Sequence, residues 1–478
     1  MKELIKASSW SVFTELIAKV ISPVSFLVLT KILSPEDFGV VAVATTFISF
    51  VQIITDLGVS KVLIQDQNND KDYRSSLNDT CFWFNLSIGI LIFIFTLFFS
   101  NKIALFFGNE SSSDVVCVMA LQVVFFSLSS IQNANLKKEL NFRFLFFTRL
   151  ITIAMPLFIA IPIALLGGGY WAIVIATVIG AFLNMIILWI NSKWRPTFFF
   201  DIRILKNILS KSIWNSLDEI IVWIPLGLDA YLIGNYLSSS DLGIYTTSRT
   251  LFSAAIAITL GAILPVLYSH FSRIQNNNAE FKNTILFSQK IMYMLAGTMG
   301  VGMFLLSDII ESLFFNVEWK GISKVIGIIF LVMSNSYFYS VLQEALRARG
   351  YFKDLFKVKF YSMFFIIPIL FIVAIKSDIY FYSLIRSLSL YIWIFGVFYY
   401  AKKRLDISFY SFFKNSKELI FILFGTMLAS FILDFSQEVI PFKQTNLNII
   451  LFLIMLGMII YIEKSLFQKV INLIIKKK

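Results

Sequence analysis

Long apolar stretches separated by short polar clusters run the whole length of this chain. Breaking it at those clusters leaves stretches near 10–32, 39–62, 80–100, 115–131, 150–167, 170–190, 214–236 and 243–266. Six more lie near 286–310, 322–341, 359–376, 379–400, 419–434 and 447–462. A helix needs about 20 apolar residues to cross a bilayer core, and all but a few of the stretches approach that length, 419–434 and 447–462 being the shortest. The runs are continuous and do not alternate, so the period-two pattern of a membrane β-barrel is absent. The pattern predicts an all-α polytopic membrane protein of about 14 transmembrane helices.

The polar positions carry a second pattern. Residues 32–41 read ILSPEDFGVV and residues 236–245 read YLSSSDLGIY, 204 positions apart. Ser34, Pro35 and Asp37 make a helix start, with a hydroxyl cap, proline in the first turn and a carboxylate that bonds back. Ser238 and Asp241 repeat it without the proline. At the same shift, 6–40 and 210–244 share eight identities, among them Ser8/Ser212, Trp10/Trp214 and Glu15/Glu219. At a shift of 210, the loop 134–146 resembles 344–356 through Leu136/Leu346, Phe142/Phe352, Leu145/Leu355 and Phe146/Phe356. Six stretches separate the copies, an even number, so the copies face the same way and form a parallel repeat. The expected organisation is an N-terminal six-helix lobe at 1–200, a second at 201–400, and an appended helix pair with a basic tail at 401–478, the two lobes enclosing a central cavity.

Charge then sets the orientation. With the N-terminus inside, the inner segments hold 30 of the 41 Lys and Arg, and the outer segments only Lys102, Lys320 and Lys443. That asymmetry places both termini in the cytoplasm. The net charge of +12 is therefore topological and argues against a nucleic-acid partner. The first stretch carries Glu15 and Lys19 and no small-residue cleavage site, so it reads as a retained helix. Composition agrees, at 58% hydrophobic and 15% charged against roughly 25% charged in soluble domains. Cys81 and Cys117 fall at opposite ends of adjacent stretches, too far apart for a disulfide.

Ionisable residues inside the stretches are the candidate chemistry, because each costs about 2.5–3.5 kcal/mol on insertion scales unless it faces a cavity or a partner. Lys19, Arg249 and Arg386 are the cations suited to an anionic substrate in the cavity. Glu15, Asp56 and Asp229 are the carboxylates that would serve a coupling ion or line the same cavity. Glu15 and Lys19, four apart, also fit a self-neutralising pair. His270, the one histidine, stands alone at an inner end; Asp70-Lys71-Asp72 lies in a polar loop; Gly167-Gly168-Gly169 reads as a tight outer hairpin. No metal cluster, cofactor motif or phosphate loop follows from the sequence, and no enzyme activity is expected.

The start of the chain, with Ser8-x-Trp10, Leu33-Ser34-Pro35-Glu36-Asp37-Phe38-Gly39, Asp56-Leu57-Gly58 and Gln65, resembles the bacterial polysaccharide flippases. These are the Wzx-type O-antigen and exopolysaccharide translocases of the multidrug/oligosaccharidyl-lipid/polysaccharide exporter superfamily. The loop Asn135–Arg143 and its second-half counterpart fit as well. The resemblance implies alternating access between two six-helix lobes in the inner membrane. It implies transfer of undecaprenyl-pyrophosphate-linked oligosaccharide from the cytoplasmic to the outer leaflet, for O-antigen, exopolysaccharide or capsule. It also implies dealings with a polysaccharide polymerase and chain-length machinery. Cavity cations on helices corresponding to the first and eighth stretches, where Lys19 and Arg249 stand, would meet the pyrophosphate. The alternative is an ion-coupled drug antiporter of the related efflux branch, built on Asp229 or Asp56.

Overall fold

The computed structural model describes residues 21–435, apart from 67, 69, 140 and 262, and residues 444–464. Every regular element among them is a helix. Contacts divide the chain into two compact units, 1–247 and 248–478.

Unit 1 begins with α1 (Ile21–Ile32). It continues with α2 (Pro35–Asp56), α3 (Val59–Gln65), α4 (Lys71–Phe106), α5 (Ser113–Met119), α6 (Leu121–Lys138) and α7 (Phe142–Met155). After a short π-helical turn at Pro156–Ala160 come α8 (Ile161–Leu165), α9 (Trp171–Asn191), α10 (Ile202–Tyr236) and the first turns of α11 (Ser239–Thr259). The helix that opens the second sequence repeat, α10, packs on α2, α3 and α4. Unit 2 holds the rest of α11 with α12 (Ile263–Ile274), α13 (Asn278–Leu305), α14 (Ser307–Phe314), α15 (Ile322–Ser336) and α16 (Tyr339–Ala348). It ends with α17 (Phe352–Lys376), α18 (Ile379–Leu388), α19 (Leu390–Leu405), α20 (Phe409–Phe435) and α21 (Gln444–Ile462).

Among the described residues, eight helices are long and apolar enough to cross a membrane, or up to eleven if three bent pairs each count as one span. Two of those pairs are α13 with α14, bent by 64°, and α15 with α16, bent by 41°. The expected fourteen exceeds this count by α1, α10 and α21. Helix α1 is described only from Ile21, α10 carries Asp218, Glu219 and Asp229 within its apolar part, and the apolar part of α21 is short. The short stretch 419–434 lies in a longer helix, and Phe409–Ile432 passes as a span.

Several polar clusters expected as inner loops are largely helical. Asp70 accepts from the Asp72 N–H at 3.2 Å, Asn141 from Phe144 at 3.4 Å and Asp201 from Arg203 at 2.7 Å. Each cap satisfies an orphan donor and starts its helix before the apolar run begins. The expected stretch 39–62 breaks instead at Leu57 and Gly58, both at positive φ (42° and 71°), which separates α2 from α3. Cys81 and Cys117 are both free thiols.

Candidate functional site

The repeated turn folds as its chemistry dictates. The Asp37 N–H donates to Ser34 Oγ at 3.1 Å, and the Ser34 N–H donates to Asp37 Oδ2 at 2.9 Å, a complete capping box. The other carboxylate oxygen, Oδ1, accepts from the Tyr170 N–H at 2.9 Å and ties the glycine hairpin to α2. In the second copy the Asp241 N–H donates to Ser238 Oγ at 3.1 Å, and Ser238 Oγ to Asp241 Oδ2 at 2.7 Å.

These two turns touch each other within unit 1. A Cβ on Gly39 would stand 1.9 Å from the Ser239 carbonyl oxygen, and one on Gly243 would stand 1.8 Å from that of Pro35. The 204-residue shift maps Pro35 onto Ser239 and Gly39 onto Gly243, so each copy presents the same pair to the other. That reciprocity is the mark of a two-fold contact. Asn109 Nδ2 donates to Ser239 Oγ at 2.5 Å, and Asn235 Nδ2 to the Phe106 carbonyl at 2.8 Å, which fastens the ends of α4 and α10 at the same level.

At the middle of α10, Lys61 Nζ on α3 lies 2.5 Å from Glu219 Oε1, with both side chains partly exposed. Asp56 sits in the field of this pair and accepts from Ser60 Oγ. The sequence gives no reason to pair Lys61 with Glu219, because their 158-residue separation carries no local signal. Asp229, ten residues further along α10, is 2% exposed and accepts from Tyr245 Oη at 3.0 Å. Tyr245 escaped notice in the sequence because a tyrosine in an apolar run looks like bulk.

Of the cations nominated from sequence, the two among the described residues lie in unit 2 and the described carboxylates in unit 1. Arg249 is half-buried on α11, and Arg386 is buried on α18 with Nη1 3.4 Å from Ser389 Oγ; both belong to unit 2. Asp56 and Asp229 belong to unit 1. Lys19 and Glu15 lie outside the described residues. No group of three metal-ligating side chains occurs among the described residues.

The family model described as polysaccharide biosynthesis protein matches residues 28–324. The chain is similar to the succinoglycan biosynthesis transport protein ExoT of Rhizobium meliloti (strain 1021), 24% identical over 330 residues, 69% of this chain and 66% of that one. It thus spans about two thirds of that relative's length. Among solved structures it is similar to the lipid II flippase MurJ in an inward closed conformation. That match has a TM-score of 0.75 and 16% identity, covering 97% of this chain and 100% of that one. It is also similar to a multidrug resistance MATE family transporter of the MOP superfamily, inward-facing, with TM-score 0.68 and 14% identity over 82% and 98% of the two chains. At these identities the structures establish the fold alone, an all-α multi-pass one shared with both. With more than half its length matched by one family model, the chain belongs to the polysaccharide biosynthesis protein family.

Proposed function

We propose that this protein is a flippase that moves lipid-linked oligosaccharide precursors of a cell-surface polysaccharide across the cytoplasmic (inner) membrane. The observation that carries the reading is the family match over residues 28–324. The cargo is undecaprenyl-pyrophosphate-linked oligosaccharide, taken up at the cytoplasmic leaflet and released at the outer one, where a polymerase and chain-length machinery consume it. Both termini are cytoplasmic, in keeping with the side on which Lys and Arg concentrate. The repeat lobes 1–200 and 201–400 alternate access to a site between them, with 401–478 appended.

In this reading Lys19, Arg249 and Arg386 bind the pyrophosphate. A guanidinium fork holds two oxygens where an ammonium is a point charge, so Arg249→Ala should impair export more than Arg249→Lys. Equal export by the two variants would remove Arg249 from the site. Asp229, buried against Tyr245, is the coupling carboxylate, with Asp56 and Glu15 as further candidates. Asp229→Asn should leave the protein folded and make export insensitive to the proton or sodium gradient.

Mass spectrometry of polyprenyl-linked lipids tests the function. Cells lacking the protein, with the rest of the pathway running and no second flippase, should accumulate an undecaprenyl-pyrophosphate oligosaccharide. An unchanged lipid pool, together with loss of drug resistance in the same cells, would replace the flippase by an ion-coupled drug antiporter.

A further inference from the structure

A pocket of about 530 Å³ opens in unit 1, and none of the ionisable residues assigned above lines it. It lies where the start of α4, the end of α6 and the segment after α9 converge. Lys71, Arg74 and Lys193 line it, with Glu139 as the one carboxylate in its wall. The neighbouring Lys138 is engaged with Asp66 at 3.7 Å. Three cations against one carboxylate give the wall a net positive charge, which suits an anion.

Its interior holds polar groups left without partners. Gln132 on α6 is 0% exposed, and neither its Oε1 nor its Nε2 makes a hydrogen bond; the Trp194 indole N–H also lacks one. Leaving a buried amide unsatisfied costs about 1–3 kcal/mol, so such groups call for a partner that the folded chain does not itself supply. Asn78 and Asn135 add carboxamides to the same lining. A carboxamide both donates and accepts, which matches a hydroxyl, whereas the cations match phosphate or carboxylate.

The wall is built before any ligand arrives. Buried Asp79 on α4 accepts from the Thr197 N–H at 3.2 Å and from Thr197 Oγ1 at 2.5 Å. Trp83 Nε1 donates to the Thr197 carbonyl at 2.7 Å, and Phe82 meets the Trp194 ring edge-on at 5.7 Å. Ser192 Oγ and Arg195 Nη1 donate to the Trp194 carbonyl at 3.1 and 3.0 Å. The loop that carries Lys193 and Trp194 is therefore fixed, and preorganisation of this kind lowers the ordering cost of binding.

We infer that this pocket binds a hydroxyl-bearing anionic group, a sugar or polyol phosphate. Two sources present that chemistry at a membrane surface: the phosphosugar end of a lipid-linked saccharide and the glycerol-phosphate headgroup of an anionic phospholipid. Assignment to the cargo rests on the proposed function, while the polyol-phosphate chemistry stands without it.

The test uses purified full-length protein and two probes. Equilibrium binding of radiolabelled glucose 1-phosphate, with inorganic phosphate as the reference anion, reports the saccharide source. Native mass spectrometry after exchange into phosphatidylglycerol or phosphatidylethanolamine nanodiscs counts retained lipid and reports the headgroup source. The variants are Gln132→Leu, which matches the volume and removes the unsatisfied amide, and Lys71→Gln/Lys193→Gln, which removes two charges. Each should weaken the probe that binds by roughly tenfold or more, the worth of one buried hydrogen bond or charge contact. Gln132→Leu should do so with an unchanged or raised melting temperature, which a merely structural glutamine would not allow. Loss of glucose 1-phosphate alone assigns the saccharide, and loss of retained phosphatidylglycerol alone assigns the lipid. Wild-type protein that binds neither probe better than its variants overturns the inference. Binding is read without transport, so failure here leaves the flippase reading standing, and failure of that reading leaves a measured binding site.

Discussion

At the scale of single residues, the repeated turn shows how a short motif becomes a packing constraint. Gly39 and Gly243 lie where opposing backbone carbonyls occupy the volume a Cβ would need, and backbone cannot swing aside as a side chain can. Gly39→Val should lower the melting temperature of the purified protein, at a cost of about 1–3 kcal/mol or more for overpacking. Gly425→Ala on α20, where nothing lies within 4 Å, should be neutral or slightly stabilising, by up to about 1 kcal/mol. Equal melting temperatures for the two variants would contradict the close approach. The cap itself was legible, because serine, proline and aspartate at those spacings act within one turn. That two such caps would press against each other was not stated by either copy alone; only the shift of 204 related them. Gln132 gave no signal at all, since one amide in an apolar helix looks the same whether its partner is a neighbour or a ligand.

Among elements, the existence of the helices was plain in the sequence and their polar ends were not. Charged runs at 70–79 and 202–213 look like loop by hydropathy, yet Asp70 and Asp201 cap helices that run straight through them. Local capping won over polarity because the charged residues need only water or a partner at the helix surface, which helix ends supply. The segment between α9 and α10 was equally opaque. Its anchor to α4 joins Asp79 with Thr197, residues 118 apart, and no periodicity reports such a tie. Asp79→Ala should therefore speed amide hydrogen exchange across 193–200 while exchange in the middle of α4 stays as it was. Unchanged exchange in 193–200 would show that the tryptophan cluster holds the segment without Asp79. In unit 2, Arg404 Nε on α19 donates to buried Asp354 on α17 at 2.9 Å. Arg404→Met should lower the melting temperature more than Asp354→Asn/Arg404→Met together, because only the single change leaves a buried carboxylate alone.

For the whole molecule, the apolar pattern and the side on which Lys and Arg gather define a topology that labelling can read. Lys102→Cys, in the last turns of α4, should react with an impermeant maleimide in intact cells, and Asn191→Cys, at the end of α9, only in permeabilised ones. The reverse pattern would turn the protein over and place the polyol-phosphate pocket outside. The family and the transporter fold were both within reach of the sequence, through the first 65 residues and the parallel repeat. The carrier's precise cargo was not, because a sugar is recognised by side chains that meet only in the folded chain. The central claim is transfer of a lipid-linked saccharide between leaflets, and sidedness measures it most directly. Right-side-out spheroplasts of cells blocked in polymerisation would be probed with a lectin for the repeat unit, with and without this protein. Lectin-accessible lipid-linked sugar is expected only when the protein is present, and the same amount shielded inside when it is absent. Equal lectin access in both would contradict it.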